Sequence, residues 1–360
     1  VAGDACEVDD FEPNDSYQDA FPLAEGSYPN VTLCVGDNDW FTLELHNGEV
    51  LDTSILFDQD ESDLGLRLYK LNDDGTMSNR ANADTLTADE NLIYQPYDDG
   101  TFLLYVYRSR GTKLANYSLS LSIEGSACIA DAYEENDSYP DATSMMADTY
   151  PDLTLCVGDA DWYQLNLANG ETIQTKITFE HDDNDLGLTV YKLNDDGTTS
   201  YRTGSNTLTD NESITYQPFD EGTFLIYVYR SRGTTVASYT MEIDILGEPC
   251  TPDSFEPNDA AGEAVVIADD TYEDLTLCVG DFDWYSVEVS NGELIDVAIE
   301  FEHDDNDLGM QIYKDNGDGT YSSRRSSDTL TDNESLIYQP YDERTFLIQV
   351  YRSRGTTVAT

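Results

Sequence analysis

Two acidic clusters recur in this sequence and are the residues best suited to chemistry. In the first copy, one cluster spans residues 9–15 (DDFEPND) and the other spans residues 36–40 (GDNDW). Oxygen donors without histidine or thiolate select hard cations such as Ca²⁺ over zinc or copper. Crowded carboxylates are also costly unless a cation neutralises them. The clusters therefore predict Ca²⁺ sites, and the alternative is that they are solvated turn and cap residues, the usual place of Asp and Asn.

The two clusters belong to a long repeat, which the cysteines reveal. Cys6, Cys128 and Cys250 follow one another at intervals of 122 residues, and each has a second cysteine 28 residues further on. An even count with one pair per copy predicts three disulfides, namely Cys6–Cys34, Cys128–Cys156 and Cys250–Cys278. Each bridge would bring the two acidic clusters of its copy close together, and it implies an oxidising, secreted location. Zinc binding is the competing interpretation, but the chain has no CxxC and only three histidines.

Alternation of apolar and polar residues dominates each copy and predicts β-strands. Residues 117–123 alternate in this way, and residues 102–107 are apolar on both faces, as in a central strand. Asn-Gly pairs between such runs predict hairpin turns at residues 47–48, 169–170 and 291–292. The pattern predicts an all-β fold of three tandem antiparallel β-sandwich domains, at residues 1–124, 125–246 and 247–360. Three full periods exceed 360 residues, so the last strand of the third domain is expected to be missing.

The charge of the chain excludes several classes of function. Its 73 acidic and 17 basic residues give a formal net charge of −56. Such a surface repels phosphate backbones and anionic membranes, so we expect no nucleic acid partner. Apolar runs are far shorter than the roughly 20 residues of a membrane span, so we expect no membrane insertion. The sequence contains no GxSxG, HExxH or phosphate-binding P-loop signature, and we predict that it is not an enzyme.

The clusters and the strands between them resemble the bacterial pre-peptidase C-terminal (PPC) domain family, in a cysteine-containing tandem form. In the first copy the resemblance lies in residues 11–15 (FEPND), Ala20, 36–41 (GDNDWF), 63–69 (DLGLRLY), 101–106 (TFLLYV) and 117–121 (YSLSL). It extends over all three copies and implies jelly-roll-like β-sandwiches of extracellular proteins, in this family usually attached to secreted proteases and other exoenzymes. Some members, such as the collagen-binding domains of clostridial collagenases, bind Ca²⁺ through the Glu-Pro-Asn and Asp-x-Asp segments.

The resemblance implies a set of Ca²⁺ ligands in each copy, with a preceding aspartate beside them. These residues are Asp9, Glu12, Asn14, Asp15, Asp37 and Asp39, then Asp131, Glu134, Asn136, Asp137, Asp159 and Asp161, and finally Asp253, Glu256, Asn258, Asp259, Asp281 and Asp283. Asp10 is left out because Ala132 and Ser254 occupy its position in the other copies. The second copy departs from the family pattern at Glu135, which replaces the proline.

An Arg-Ser-Arg-Gly turn recurs in every copy and is the most distinctive basic feature of the chain. Its arginines are Arg108, Arg110, Arg230, Arg232, Arg352 and Arg354. On so acidic a surface, a guanidinium group can bind carboxylates of a neighbouring domain or subunit. A salt bridge within the same domain is the alternative, and the sequence favours neither.

These features together predict a secreted, Ca²⁺-stabilised structural or adhesive repeat protein. Long repeats without insertions suit head-to-tail association, either between neighbouring repeats or between chains, as in the subunit of an extracellular filament. The alternative is a non-catalytic module of a secreted exoenzyme that binds a polysaccharide or a fibrous protein.

Overall fold

The computed structural model describes residues 6–60, 62–87, 89–180, 184–209, 211–301, 306–329 and 333–360. Within these ranges the regular structure is β-strand, apart from two short 3₁₀ turns at Tyr139–Asp141 and Ala261–Glu263. No helix in the described ranges has the length and apolar character needed to cross a membrane. The prediction of an all-β fold is confirmed.

The first copy is a two-sheet sandwich. Its strands are β1 (Phe21–Pro22), β2 (Gly26–Leu33), β3 (Asp39–Leu45), β4 (Glu49–Phe57), β5 (Ser62–Leu71), β6 (Met77–Ala83), β7 (Asp89–Tyr94), β8 (Gly100–Gly111) and β9 (Ala115–Gly125). One sheet has the order β1-β3-β8-β5-β6 and the other has the order β2-β9-β4-β7. Pairing is antiparallel except for the short β1–β3 contact. Because the chain alternates between the sheets in this order, the topology is that of a jelly roll.

The second copy repeats this architecture. Its strands are β10 (Thr143–Ser144), β11 (Asp148–Leu155), β12 (Ala160–Leu167), β13 (Thr172–Phe179), β14 (Asp185–Leu193), β15 (Thr199–Ser205), β16 (Glu212–Tyr216), β17 (Gly222–Arg232) and β18 (Ala237–Leu246). The sheet orders β10-β12-β17-β14-β15 and β11-β18-β13-β16 match those of the first copy strand for strand.

The third copy keeps the five-stranded sheet and has a smaller second sheet. Its strands are β19 (Val265–Val266), β20 (Phe282–Val289), β21 (Ile295–Ile299), β22 (Asn306–Asp315), β23 (Tyr321–Ser327), β24 (Glu334–Tyr338) and β25 (Arg344–Gly355). The sheets are β19-β20-β25-β22-β23 and β21-β24. An isolated bridge joins Leu277 to Ala359, at the positions where Leu33 pairs with Ala115 in the first copy. The domain limits given above stay a prediction.

Each sandwich buries the inward-facing side chains of both sheets. In the first copy the core includes Phe41, Ile55, Phe102 and Tyr117, and equivalent clusters fill the other two copies. Full burial of one such apolar side chain contributes about 1.5–3 kcal/mol. β8 lies in the middle of its sheet, as predicted for residues 102–107, and its Leu103 is buried on the outer face as well.

The Asn-Gly turns are not hairpins, so that prediction is wrong. Residues 47–48 join β3 to β4, and these strands lie in different sheets. Gly48 has a φ of +91°, a conformation open to glycine, and the turn carries the chain across the sandwich. Local sequence cannot reveal this, because Asn-Gly favours a tight turn whether or not the flanking strands pair. Residues 73–75 do close a hairpin, between β5 and β6.

Candidate metal centre

The two acidic clusters of each copy meet in space. Carboxylate oxygens of Glu12, Asp37 and Asp39 lie within 4.8 Å of one another. The same arrangement occurs in the other two copies, in Glu134, Asp159 and Asp161 and in Glu256, Asp281 and Asp283. We call these three groups the carboxylate triads. The structure therefore brings together half of the residues predicted in each copy.

The N-terminal segment of each copy is fastened beside its triad by backbone and covalent links. The amide of Trp40 donates to the carbonyl of Asn14 at 2.9 Å, which holds the first cluster against the start of β3. Cys6 and Cys34 form a disulfide with a Cα–Cα distance of 5.8 Å. The predicted pairings Cys128–Cys156 and Cys250–Cys278 also form, with the same separation. All three disulfide predictions are confirmed.

The aspartate that precedes each triad serves the backbone. Both oxygens of Asp9 accept backbone hydrogen bonds, one from Phe11 at 2.9 Å and one from Thr32 at 2.7 Å. Asp131 and Asp253 accept the equivalent pairs of bonds. Because each of these carboxylates already accepts two backbone hydrogen bonds, it holds the N-terminal segment against the neighbouring strand. They lie outside the carboxylate triads.

The predicted asparagine ligand has a buried side-chain amide. Asn14 is 1% exposed, and among the described residues neither its Oδ1 nor its Nδ2 has a hydrogen-bond partner. The Oδ1 of Asn136 is in the same state in the second copy. Leaving a buried polar group unsatisfied costs about 1–3 kcal/mol. A cation held by the adjacent carboxylates would give such an oxygen a partner, so the residues present fit an oxygen-coordinated metal ion.

The central carboxylate of each triad is buried and is contacted by tyrosine hydroxyls. Asp39 accepts a hydrogen bond from the buried Tyr117 at 2.5 Å. Asp161 accepts one from Tyr239, and its second oxygen has no partner. Sequence analysis missed these tyrosines as site residues. The only signal for Tyr117 was its inward-facing place in an alternating strand, which also fits a plain core residue.

Burial and crowding disfavour the charged forms of these acids. Burial raises the pKa of Asp39, Asp161 and Asp283, each to about 8. Burial, together with a hydrogen bond to the exposed Asp15, raises the pKa of Asp37 to about 7. Full ionisation of the triads is therefore unfavourable without a neutralising charge. A divalent cation supplies that charge.

In every copy, the exposed aspartate of the first acidic cluster contacts an aspartate of the triad, as Asp15 contacts Asp37. Asp137 hydrogen-bonds Asp159, whose pKa is raised to about 8 mainly by burial. A hydrogen bond with Asp281 is the main cause that raises the pKa of Asp259 to about 6. Asp15, Asp137 and Asp259 thus lie at the solvent side of the triads, and each contacts one of the triad carboxylates.

The two arginines of each Arg-Ser-Arg-Gly turn have different surroundings. The guanidinium of Arg108 donates to the carbonyls of Leu33 at 2.9 Å and Cys34 at 3.1 Å, within its own sandwich. Arg230 and Arg352 make the same two bonds. The second arginines, Arg110, Arg232 and Arg354, are exposed. The first arginine of each turn therefore supports the loop that carries the second acidic cluster.

A second surface, which sequence analysis missed, lies on the outer face of the five-stranded sheet. We call Trp40, Tyr69, Tyr105 and Tyr107 the aromatic face. The rings of Trp40 and Tyr105 stack with centroids 4.2 Å apart, and those of Tyr105 and Tyr107 stack at 5.1 Å. Tyr107 lies directly over Gly65, where a Cβ atom would come within 2.5 Å of the ring.

The aromatic face is repeated in the second copy and altered in the third. Trp162 stacks on Tyr227 at 4.2 Å, and Tyr227 stacks on Tyr229 at 5.0 Å. In the third copy Gln349 occupies the position of Tyr105, so the stack is interrupted. The signal for this face was present in the sequence, because these aromatics alternate with the core residues of the same strands.

Comparisons with known proteins give only distant structural similarity. No protein-family profile and no curated protein sequence matches the chain. The CBM22-1-CBM22-2 tandem domain of Paenibacillus barcinonensis Xyn10C is similar over 69% of this chain and 100% of its own, with 12% identity and a TM-score of 0.26. A triple jelly roll protein of an archaeal virus is similar over 94% of this chain and 89% of its own, with 10% identity and a TM-score of 0.20. At these TM-scores neither similarity bears on function.

Proposed function

We propose that the chain is a secreted structural repeat protein, related to PPC domains, whose sandwiches are each stabilised by Ca²⁺ at the carboxylate triad. The observation that carries this proposal is the buried side-chain amide of Asn14, which has no hydrogen-bond partner among the described residues. The backbone amide of the same residue donates to Glu12 of the carboxylate triad at 3.0 Å. The three disulfides support an oxidising, extracellular setting. The residues that gather at the site are those through which the sequence resembles PPC domains.

The donor set favours Ca²⁺ among the common metal ions. The triad and the asparagine offer only oxygen atoms, which suit Ca²⁺ and Mg²⁺ and disfavour zinc and copper. Ca²⁺ accepts six to eight ligands in flexible geometry, whereas Mg²⁺ demands a near-ideal octahedron. The four candidate ligands come from two separate segments, Glu12 and Asn14 from one and Asp37 and Asp39 from the other. Such a site suits the variable geometry of Ca²⁺ better than a strict octahedron. The ion would join the N-terminal segment to the start of β3.

Calorimetric titration and thermal unfolding test this function. The EDTA-treated chain is expected to bind Ca²⁺, and each sandwich should gain about 2.7 kcal/mol of stability when free Ca²⁺ reaches 100 times the dissociation constant of its site. The triple variant Asp39→Asn, Asp161→Asn, Asp283→Asn should lose both responses. The matched control is Asp74→Asn, Asp196→Asn, Asp318→Asn, which makes the same three chemical changes at exposed hairpin tips. Equal Ca²⁺ responses in the two triple variants would refute the proposal.

A second candidate function, polysaccharide binding, is favoured by the aromatic face. Sugar rings pack against aromatic side chains through their apolar C–H groups, and Trp40, Tyr105 and Tyr107 form a half-exposed aromatic cluster on the outer face of the sheet. Arg67 lies over the Tyr107 ring at 4.6 Å and adds hydrogen-bond donors next to it. The first two copies carry the full stack and the third lacks its central ring. Sugar binding by the first two copies can therefore be compared with that of the third.

Affinity electrophoresis in gels that contain xylan, mannan or hydroxyethylcellulose tests this second function. The double variant Tyr105→Gln, Tyr227→Gln reproduces the third copy and should abolish retardation by whichever polysaccharide slows the native chain. Gln349→Tyr rebuilds the stack in the third copy and should increase retardation. If none of these polymers retards the native chain, this candidate fails while the Ca²⁺ proposal stands.

A further inference from the structure

We propose that the chain associates head to tail with a second copy of itself through the same contact that joins successive sandwiches within one chain. The tail surface is the turn at residues 290–293 with Tyr341, in the third copy. The head surface is Cys34, Val35 and Gly36 with Leu114, in the first copy. The inference deepens the structural role proposed above but does not depend on Ca²⁺ binding.

The first internal junction is built around Asn47. Its carbonyl accepts a hydrogen bond from the Cys128 amide at 2.7 Å. Its side-chain Nδ2 donates to the Val157 carbonyl at 3.0 Å, and its Oδ1 accepts from the Val157 amide at 2.9 Å. The asparagine therefore pairs with the backbone of the next sandwich as another strand residue would. The turn that sequence analysis interpreted as a hairpin is the connector between copies.

The second junction repeats these contacts. The carbonyl of Asn169 accepts from Cys250 at 2.7 Å, and its side chain exchanges two bonds with the Val279 backbone, both at 2.9 Å. Two independent junctions with the same bonds, 122 residues apart, show that this contact is a property of the repeat.

Glycine and apolar side chains complete both junctions. Gly48 lies against Val236, and Gly170 lies against Val358, so close that a Cβ atom would come within 2.7 and 2.9 Å of the valine methyl groups. Across the same contact, the Tyr97 ring lies near Gly158 and the Phe219 ring lies near Gly280. The close approach requires a glycine after the asparagine, and the apolar residue at position 236 and the ring at position 97, or their equivalents, add peripheral contacts.

In the described residues, the head surface at Val35 and the tail turn at residues 290–293 are exposed to solvent. Val35 is 65% exposed, whereas its equivalents at the junctions, Val157 and Val279, are 8% and 5% exposed. In the third copy, a Cβ atom on Gly292 would meet no atom of the described residues within 4 Å. Tyr341 is 92% exposed, against 62% for Tyr97 and 70% for Phe219 at the junctions.

The tail turn already has the docking conformation. The Ser290 amide donates to the Glu293 carboxylate at 2.8 Å, as the His46 amide does to Glu49 in the first copy. The φ of Gly292 is +96°, against +91° for Gly48. Since the turn is preformed, docking on another head requires little reorganisation of the backbone.

A second copy of this chain is the occupant that fits both ends. Head and tail are different surfaces, so each bound chain exposes a new tail or head, and the contact is heterologous and open. Within the chain, a short linker supplies an effective concentration of the order of millimolar, and the contact between separate chains lacks this advantage. A net charge of −56 on each chain opposes it further. Association should therefore appear at high protein concentration and high ionic strength, where the Debye length falls to about 3 Å at 1 M salt.

Sedimentation equilibrium of the 360-residue chain in about 1 M NaCl, where charges are screened, tests the proposal. The weight-average mass should rise with protein concentration to about twice or more the 40.2 kDa of one chain. Asn291→Ala removes the tail contact, and Val35→Asp places a charge on the head; each variant alone should stay monomeric. A mixture of the two should form dimers and nothing larger, because each dimer has one intact head–tail contact and no usable ends.

A mass of 40.2 kDa at all salt and protein concentrations would overturn the proposal, as would association that both variants leave unchanged. Asn206→Ala, on an exposed loop of the second copy, serves as the control and should associate like the native chain. Thermal unfolding of the same samples with and without Ca²⁺ shows separately whether the Ca²⁺ proposal holds.

Discussion

Asp9 and Glu12 are neighbours in one acidic cluster, yet their surroundings give them different tasks. Both Asp9 oxygens are occupied by backbone amides, whereas Glu12 converges with Asp37 and Asp39. The sequence of the acidic cluster does not distinguish Asp9 from Glu12, because their roles depend on where the backbone amides of residues 11 and 32 lie in the fold. Only the folded chain reveals which acids remain available to a cation.

Two substitutions should separate these tasks. Asp9→Ala removes two charge-assisted hydrogen bonds and is expected to destabilise the first sandwich by about 2–3 kcal/mol, with or without Ca²⁺. Glu12→Gln should have little effect in EDTA and should reduce the stabilisation by Ca²⁺. Thermal unfolding in both conditions checks this. A loss for Asp9→Ala that appears only in Ca²⁺ would instead make Asp9 a ligand.

At the scale of elements, the disulfides connect a segment with little regular structure to the edge of a sheet. Residues 6–20 contain no strand, and they carry Glu12 and Asn14. The Cys6–Cys34 bridge and the Trp40–Asn14 backbone bond hold this segment where its side chains face the second cluster. The bridge is therefore as much a part of the candidate site as the carboxylates.

Removing one bridge should weaken both stability and Ca²⁺ binding. In the chain-entropy picture, Cys6→Ser with Cys34→Ser costs about 3.5 kcal/mol for a loop of this length. Because the first cluster then moves more freely, the first Ca²⁺ site should also weaken. Titration calorimetry should show that one class of sites has lost affinity while the other copies bind as before. Unchanged affinity at all sites would mean that the bridge does not position the cluster.

A second element-scale prediction concerns the aromatic face. Gly65 and Tyr107 are direct partners across β5 and β8, and the ring occupies the space that a side chain at residue 65 would need. Gly65→Ala should displace the ring and cost about 1–3 kcal/mol. Near-ultraviolet circular dichroism should show the altered stacking. Gly262→Ala is the control, because a Cβ atom at residue 262 would meet nothing within 4 Å.

Much of the fold could be predicted from the sequence, and the reasons are local. Alternation along residues 117–123 depends only on which face of a strand is buried, and the cysteine spacing matches the bridges because each pair lies within one copy. The connector role of Asn47 could not be predicted, since its partners Cys128 and Val157 belong to the next copy. The role of Tyr117 was equally hidden, because a buried tyrosine in a strand is consistent with a core residue.

For the whole molecule, self-repulsion should dominate the response to salt. The chain carries 73 acidic against 17 basic residues, and its exposed ion pairs, such as Lys176 with Glu242, are each worth only about 0–1 kcal/mol. Screening weakens those few attractions but relieves far more repulsion. The melting temperature in EDTA should therefore rise between about 20 mM and 1 M NaCl. A fall would mean that specific ion pairs outweigh the net charge.

The Asn-Gly turns are also sites at which asparagine can deamidate slowly. In this dipeptide the glycine nitrogen can attack the asparagine amide, releasing ammonia and forming a ring that opens to aspartate or isoaspartate; asparagine is thermolabile for this reason. Asn47 and Asn169 are held by hydrogen bonds at both side-chain atoms, whereas Asn291 is exposed. On storage, peptide mapping should find deamidation first at Asn291. An aged chain would thus acquire a negative charge at the exposed turn of the third copy, while the asparagines at the two junctions remain unmodified.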